Sequence, residues 1–114
     1  MNIGKELKPN MKFLELERTN LKYSLVVAAK DQISSDLGGE AVILNLKTGV
    51  YHGLNAVGAR IWNLLQEPRT VNDIWDALLK EYEVEPDRCE RDLLALLQQL
   101  AASELIEVRN ATAV

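Results

Sequence analysis

The chain has 114 residues, a formal net charge of −4, 47% hydrophobic residues and 26% charged residues. That length carries one domain with a single core, the composition excludes wholesale disorder, and the acidic balance disfavours polyanionic partners such as nucleic acid. Its one cysteine, Cys89, permits no internal disulfide and no metal-ligand spacing, and no apolar run reaches the ~20 residues of a membrane span. The opening "MNIGKELKPNMKF" has lysines but no secretory h-region, so the expectation is a protein of the reducing cytoplasm with no membrane partner.

Residues 1–22 mix charge with apolar residues without a sustained period and read as an N-terminal arm with no assigned structure or role. The following "YSLVVAA" is β-prone. From Ile33 the signals sharpen into "ISSDL", Gly38-Gly39, "EAVILNL", "KTG" and "VYHGL". A glycine pair between two β-prone runs is a hairpin turn, because glycine reaches positive φ without steric cost. Gly49 serves the next turn in the same way. These segments predict three short antiparallel strands ending near Leu54.

Beyond Leu54 the period becomes helical. Asn55 caps a helix bearing Val57, Ile61, Trp62, Leu64 and Leu65, which stops before Pro68. Thr70 caps a second helix on which Val71, Ile74, Trp75, Leu78, Leu79 and Tyr82 recur at three- and four-residue steps, with Asp73 at the acid position of a capping box. Pro86 opens a third, with Asp87 and Glu90 near its positive end and Cys89, Leu93, Leu96, Leu97 and Leu100 along one stripe. "ELIEV" closes the domain as a short strand or extended tail, and residues 110–114 read as frayed. The predicted fold is α+β: a winged-helix-like arrangement of a three-stranded antiparallel sheet followed by three helices, spanning residues 23–109.

Chemistry is sparse. His52 is the sole histidine, beside Tyr51 in a strand, and Cys89 sits on an apolar stripe as a small hydrophobe. A Cys–His nucleophile would need these two to meet and a third residue to orient them, and no such residue is legible. No phosphate-binding glycine loop, HExxH or CxxC is present, so neither metal nor cofactor is expected and the chain reads as a binding module with no catalytic residue. Two classes of partner fit. A winged-helix nucleic-acid-binding regulator would read DNA with the third helix, yet from Pro86 to Arg109 acids outnumber arginines, with Asp87, Glu90, Asp92, Glu104 and Glu107 against Arg88, Arg91 and Arg109. The other partner is an extended peptide added to the third strand.

"GGEAVILNLKTGVYHGLNAVGARIWNLL", then "TVNDIWDALLKEYEV", "CERDLLALLQQL" and "ELIEV", together spanning about residues 26–108, resemble the PqqD family, including the stand-alone leader-binding proteins of lasso-peptide biosynthesis. The ordered features are a G-x-Y-x-x-L-N turn, a G-A-R-I-W helix, a Thr-capped second helix, an acidic start to the third and an apolar end. The resemblance implies a RiPP recognition element, which grips the leader of a ribosomally made precursor peptide and hands it to a leader peptidase or other maturation enzyme. It implies that the leader pairs antiparallel with the third strand, here Val50, Tyr51, His52 and Gly53, and lays apolar side chains against the third helix. On that helix Asp92, Leu93, Leu96 and Leu100 are the expected contact side, with Arg88 as an ion-pair partner for leader acids. Which face of the strand meets the peptide stays open. One departure stands out: many members carry a glycine before the final apolar pair, where this chain has Glu104.

Overall fold

The computed structural model describes residues 22–109, so the expectations for residues 1–21 and 110–114 lie outside the described residues. The predicted meander is β2 (Gln32–Leu37), β3 (Glu40–Asn45) and β4 (Tyr51–Leu54), in the order β2-β3-β4. Gly38 and Gly39, at φ 66° and 94°, form the two-residue left-handed turn whose twist matches that of its flanking strands. Gly49, at φ 74°, closes the turn into β4.

The three helices follow as α1 (Ala56–Leu64), α2 (Val71–Glu81) and α3 (Pro86–Ala102). Their starts are set by side chains that satisfy otherwise unpaired amides. Asn55 Oδ1 accepts from the Gly58 N–H at 2.9 Å, and Thr70 Oγ1 accepts from the Asp73 N–H at 3.0 Å. Pro86 begins α3, where its missing N–H costs nothing.

A second three-stranded sheet lies beyond the predicted meander. It joins β1 (Leu25–Ala28) to β6 (Ile106–Arg109) and to the two-residue β5 (Arg69–Thr70). The β-prone "YSLVVAA" and the closing "ELIEV" are therefore partners, in a register that pairs Val26 with Val108. Backbone bonds fasten β1 to the helix ends: Ala28 N–H donates to Leu65 O, Ala29 N–H to Leu105 O, and Val71 N–H to Ser24 O. The core gathers the apolar stripes of the helices, including Trp62, Leu65, Ile74, Leu93 and Leu97, against Val26 of β1 and Ile43 of β3. Each such fully buried side chain contributes on the order of 2 kcal/mol.

The third helix ends on a left-handed residue although no glycine is available. Glu104 takes φ 59°, the Leu105 N–H reaches Leu100 O, and the Glu104 N–H reaches Ala101 O. These two bonds are the pair that closes a Schellman cap. The sequence departure at this position leaves the cap in place and puts strain into it.

Candidate functional site

Only one edge of β4 is used within the described residues. The Asn45 N–H donates to Val50 O at 3.0 Å, which fixes the parity of the β3–β4 ladder. Val50, His52 and Leu54 therefore face β3 with their backbone groups, because bonding alternates along an antiparallel pair. The N–H and C=O of Tyr51 and Gly53 point the other way, to an edge where no strand is paired among the described residues.

Side chains alternate as well. His52 and Leu54 stand opposite Ile43 and Ala41, both buried, so they face the helices; Tyr51 stands opposite Leu44 on the outer face and is 68% exposed. The face of the strand that meets the interior is therefore the one carrying His52 and Leu54.

Beside this edge runs a trough made of two adjoining cavities. One, of about 620 Å³, is bounded by Leu54 of β4, Val57 and Ile61 of α1, Leu78 of α2, Tyr82 and Val84 of the α2–α3 connection, and Cys89, Leu93 and Leu96 of α3. The other, of about 380 Å³, lies between His52 and Leu100. Gly53, Leu54, Leu96 and Gln99 border both, which sets the two side by side. Among the described residues the acidic side chains on the rim are Glu83 and Asp92, and no lysine or arginine borders either cavity.

The expected residues distribute unevenly over this geometry. His52, Gly53, Asp92, Leu93, Leu96 and Leu100 all border the trough. Leu93 and Leu100 are also core residues, whereas Leu96 is half-buried and open to the cavity on its outer side. Val50 and Tyr51 are exposed and line neither cavity; the Tyr51 side chain faces away from the trough, and its backbone groups point to the outer edge of β4. Arg88 also borders neither cavity; its guanidinium is 3.9 Å from the Asp92 carboxylate on the outside of α3.

Several residues that shape the site were not among those expected to line it. Asn45, 2% exposed, accepts from the Lys47 N–H at 2.8 Å and the Thr48 N–H at 3.3 Å, and its amide donates to Ser103 O at 2.9 Å. One side chain thus fixes both the turn into β4 and the end of α3, the two walls of the trough. Gly58 admits Leu54, whose Cβ would lie 3.2 Å from any Cβ added there. Arg60 holds Glu81 through two bonds of 2.9 and 2.7 Å, locking α1 to the last turn of α2. That hydrogen bonding keeps the Glu81 carboxyl below the usual carboxylate range.

The arrangement is suited to binding. Burial, with Asp92 nearby, pushes the Cys89 thiol up and disfavours the thiolate a nucleophile requires. Cys89 and His52 border different cavities, and no cluster of three or more metal-ligating side chains occurs among the described residues. No helix among the described residues is long and apolar enough to cross a membrane.

The sequence profile of the family "Coenzyme PQQ synthesis protein D (PqqD)" matches residues 40–106, the span from β3 to the start of β6. The chain belongs to the PqqD family. A solved structure of TbiB1 in complex with the TbiA(beta) leader peptide is 43% identical, with a TM-score of 0.68, covering 71% of this chain and 94% of that one. A lasso peptide synthetase B1 complexed with its leader peptide is 27% identical, with a TM-score of 0.64, covering 72% of this chain and 96% of that one. Among curated proteins, none matches.

Proposed function

We propose that this PqqD-family chain binds the leader region of a ribosomally synthesised precursor peptide and delivers it to a processing enzyme. The observation that carries this reading is the β4 edge, unpaired among the described residues, running beside an apolar trough, in a chain similar to proteins solved with leader peptides. An added leader strand bonds to the N–H and C=O of Tyr51 and Gly53, so affinity comes largely from main chain. Its inward side chains fall beside His52 and Leu54 and into the trough against Leu96. Glu83 and Asp92 on the rim favour a leader with a basic residue near its apolar anchor. This differs from the expectation for Arg88, which lies outside the trough and next to Asp92.

Holding the leader by backbone leaves the downstream core peptide free. A peptidase or other maturation enzyme that also contacts this domain then meets its substrate at a raised effective concentration. A nucleic-acid reading gains no support from the site, because acids border the trough and the start of α3 pairs Arg88 with Asp92.

The test is hydrogen exchange and calorimetry with a synthetic leader of the cognate precursor. Binding should slow exchange at the Tyr51 and Gly53 amides while leaving those of β2 unchanged, and Leu96→Asp should weaken binding by tenfold or more without unfolding the domain. Saturable binding that leaves both amides unprotected would show that the peptide docks elsewhere.

A further inference from the structure

The meander has a second edge with no paired strand among the described residues, and its chemistry is self-complementary. The Leu46 N–H donates to Asp31 O at 3.0 Å, which sets the β2–β3 parity so that Ile33, Ser35 and Leu37 bond to β3. The N–H and C=O of Ser34 and Asp36 then point outward, with no strand beyond them among the described residues. Natural sheet edges are usually blunted by lysine, proline, a bulge or inward charges, whereas "QISSDL" has no lysine or proline, pairs with β3 without a break and carries a single charge, Asp36.

The side chains are symmetric about Ser35. Two copies of β2 run antiparallel across a twofold axis at Ser35 would pair Ser34 with Asp36 of the other copy, joining the four outward backbone groups of each strand. The same register sets Ile33 of one copy against Leu37 of the other, twice, on the outer face. These two side chains are 57% and 59% exposed, and here they cover one another. On the opposite face the Ser34 hydroxyl meets the Asp36 carboxylate, whose Oδ1 accepts from the Gly39 N–H and whose second oxygen remains available.

We propose that β2 is a self-association edge, through which two copies of this chain form a six-stranded sheet with β4 at both ends. Both leader-binding edges stay open, so dimer formation and leader binding are independent. Pairing of one short strand per copy buries less than about 1,200 Å², within the range of weak, transient contacts. Association is therefore concentration-dependent.

Crosslinking of the full chain tests the register directly. Ser35 pairs with itself at a non-hydrogen-bonded position, where Cα atoms lie about 4.5 Å apart, within disulfide reach. Ser35→Cys should therefore form a disulfide-linked dimer under mild oxidation, whereas Ser34→Cys should stay largely monomeric. Sedimentation over about two decades of concentration should show the unmodified chain moving from one chain mass toward two. Ser35→Lys, which sets two lysines across the axis on an exposed face, should abolish the shift while leaving leader affinity unchanged. A chain monomeric throughout overturns the proposal. Preferential crosslinking of Ser34→Cys, or association that survives Ser35→Lys, overturns it equally.

Discussion

Replacing Gly53 by proline isolates the docking edge from the fold. The Gly53 N–H takes no part in the β3–β4 ladder, because His52 and Leu54 carry those bonds. The preceding residue, His52, is already extended as proline demands, and a Cβ at position 53 meets nothing within 4 Å. The free protein therefore loses no native hydrogen bond. A bound leader, in contrast, loses one donor and keeps a carbonyl without its partner beside an apolar trough, at a cost of about 1–3 kcal/mol. That corresponds to an affinity about 5- to 150-fold weaker. Fluorescence anisotropy with a labelled leader gives the affinity, and thermal unfolding gives the integrity of the fold. His52→Pro is the contrasting variant, since it removes a bond to Ile43 and should destabilise the domain outright. A Gly53→Pro protein with wild-type melting and wild-type affinity would refute strand addition at β4.

Two further outcomes follow from the walls of the site. Asn45→Ala should cost about 1–3 kcal/mol, read as a lowered denaturation midpoint, because Ser103 O loses its partner; leader affinity should fall with it, since the turn into β4 and the end of α3 lose their common anchor. Glu104→Gly should raise stability by up to about 1 kcal/mol, since glycine adopts the left-handed position without strain while the exposed ion pair to Lys47 at 3.6 Å contributes little. A lower melting temperature for that variant would show that the cap carries no strain.

The sequence alone determined the local elements. The Gly38-Gly39 pair, the Asn55 and Thr70 caps and Pro86 each act through bonds within a few residues, so their consequences are legible without a fold. The apolar stripe of α3 was legible for the same reason, including Leu93, Leu96 and Leu100. The order of these features also carried the family resemblance, and with it the expectation that the third strand and third helix wall the site. What the sequence could not divide was the stripe itself: Leu93 and Leu100 are buried in the core while Leu96 opens to the trough, a distinction set by what packs against the helix.

Tertiary structure decided everything that depends on pairing between distant segments. The β1–β6 register joins residues about eighty positions apart, and the two residues of β5 are too few to display any period. The far wall of the trough comes from Val57, Tyr82 and Val84 on a helix and a connection whose own sequences mark no site. Asn45 reads locally as one polar residue in a strand, and only the approach of Ser103 from the end of α3 turns it into a joint. The face of β4 follows from which residues bond to β3, since a shift of one position would exchange His52 for Tyr51. Local hydrogen bonding wrote the parts of this protein into its sequence, and long-range register assembled them into a site.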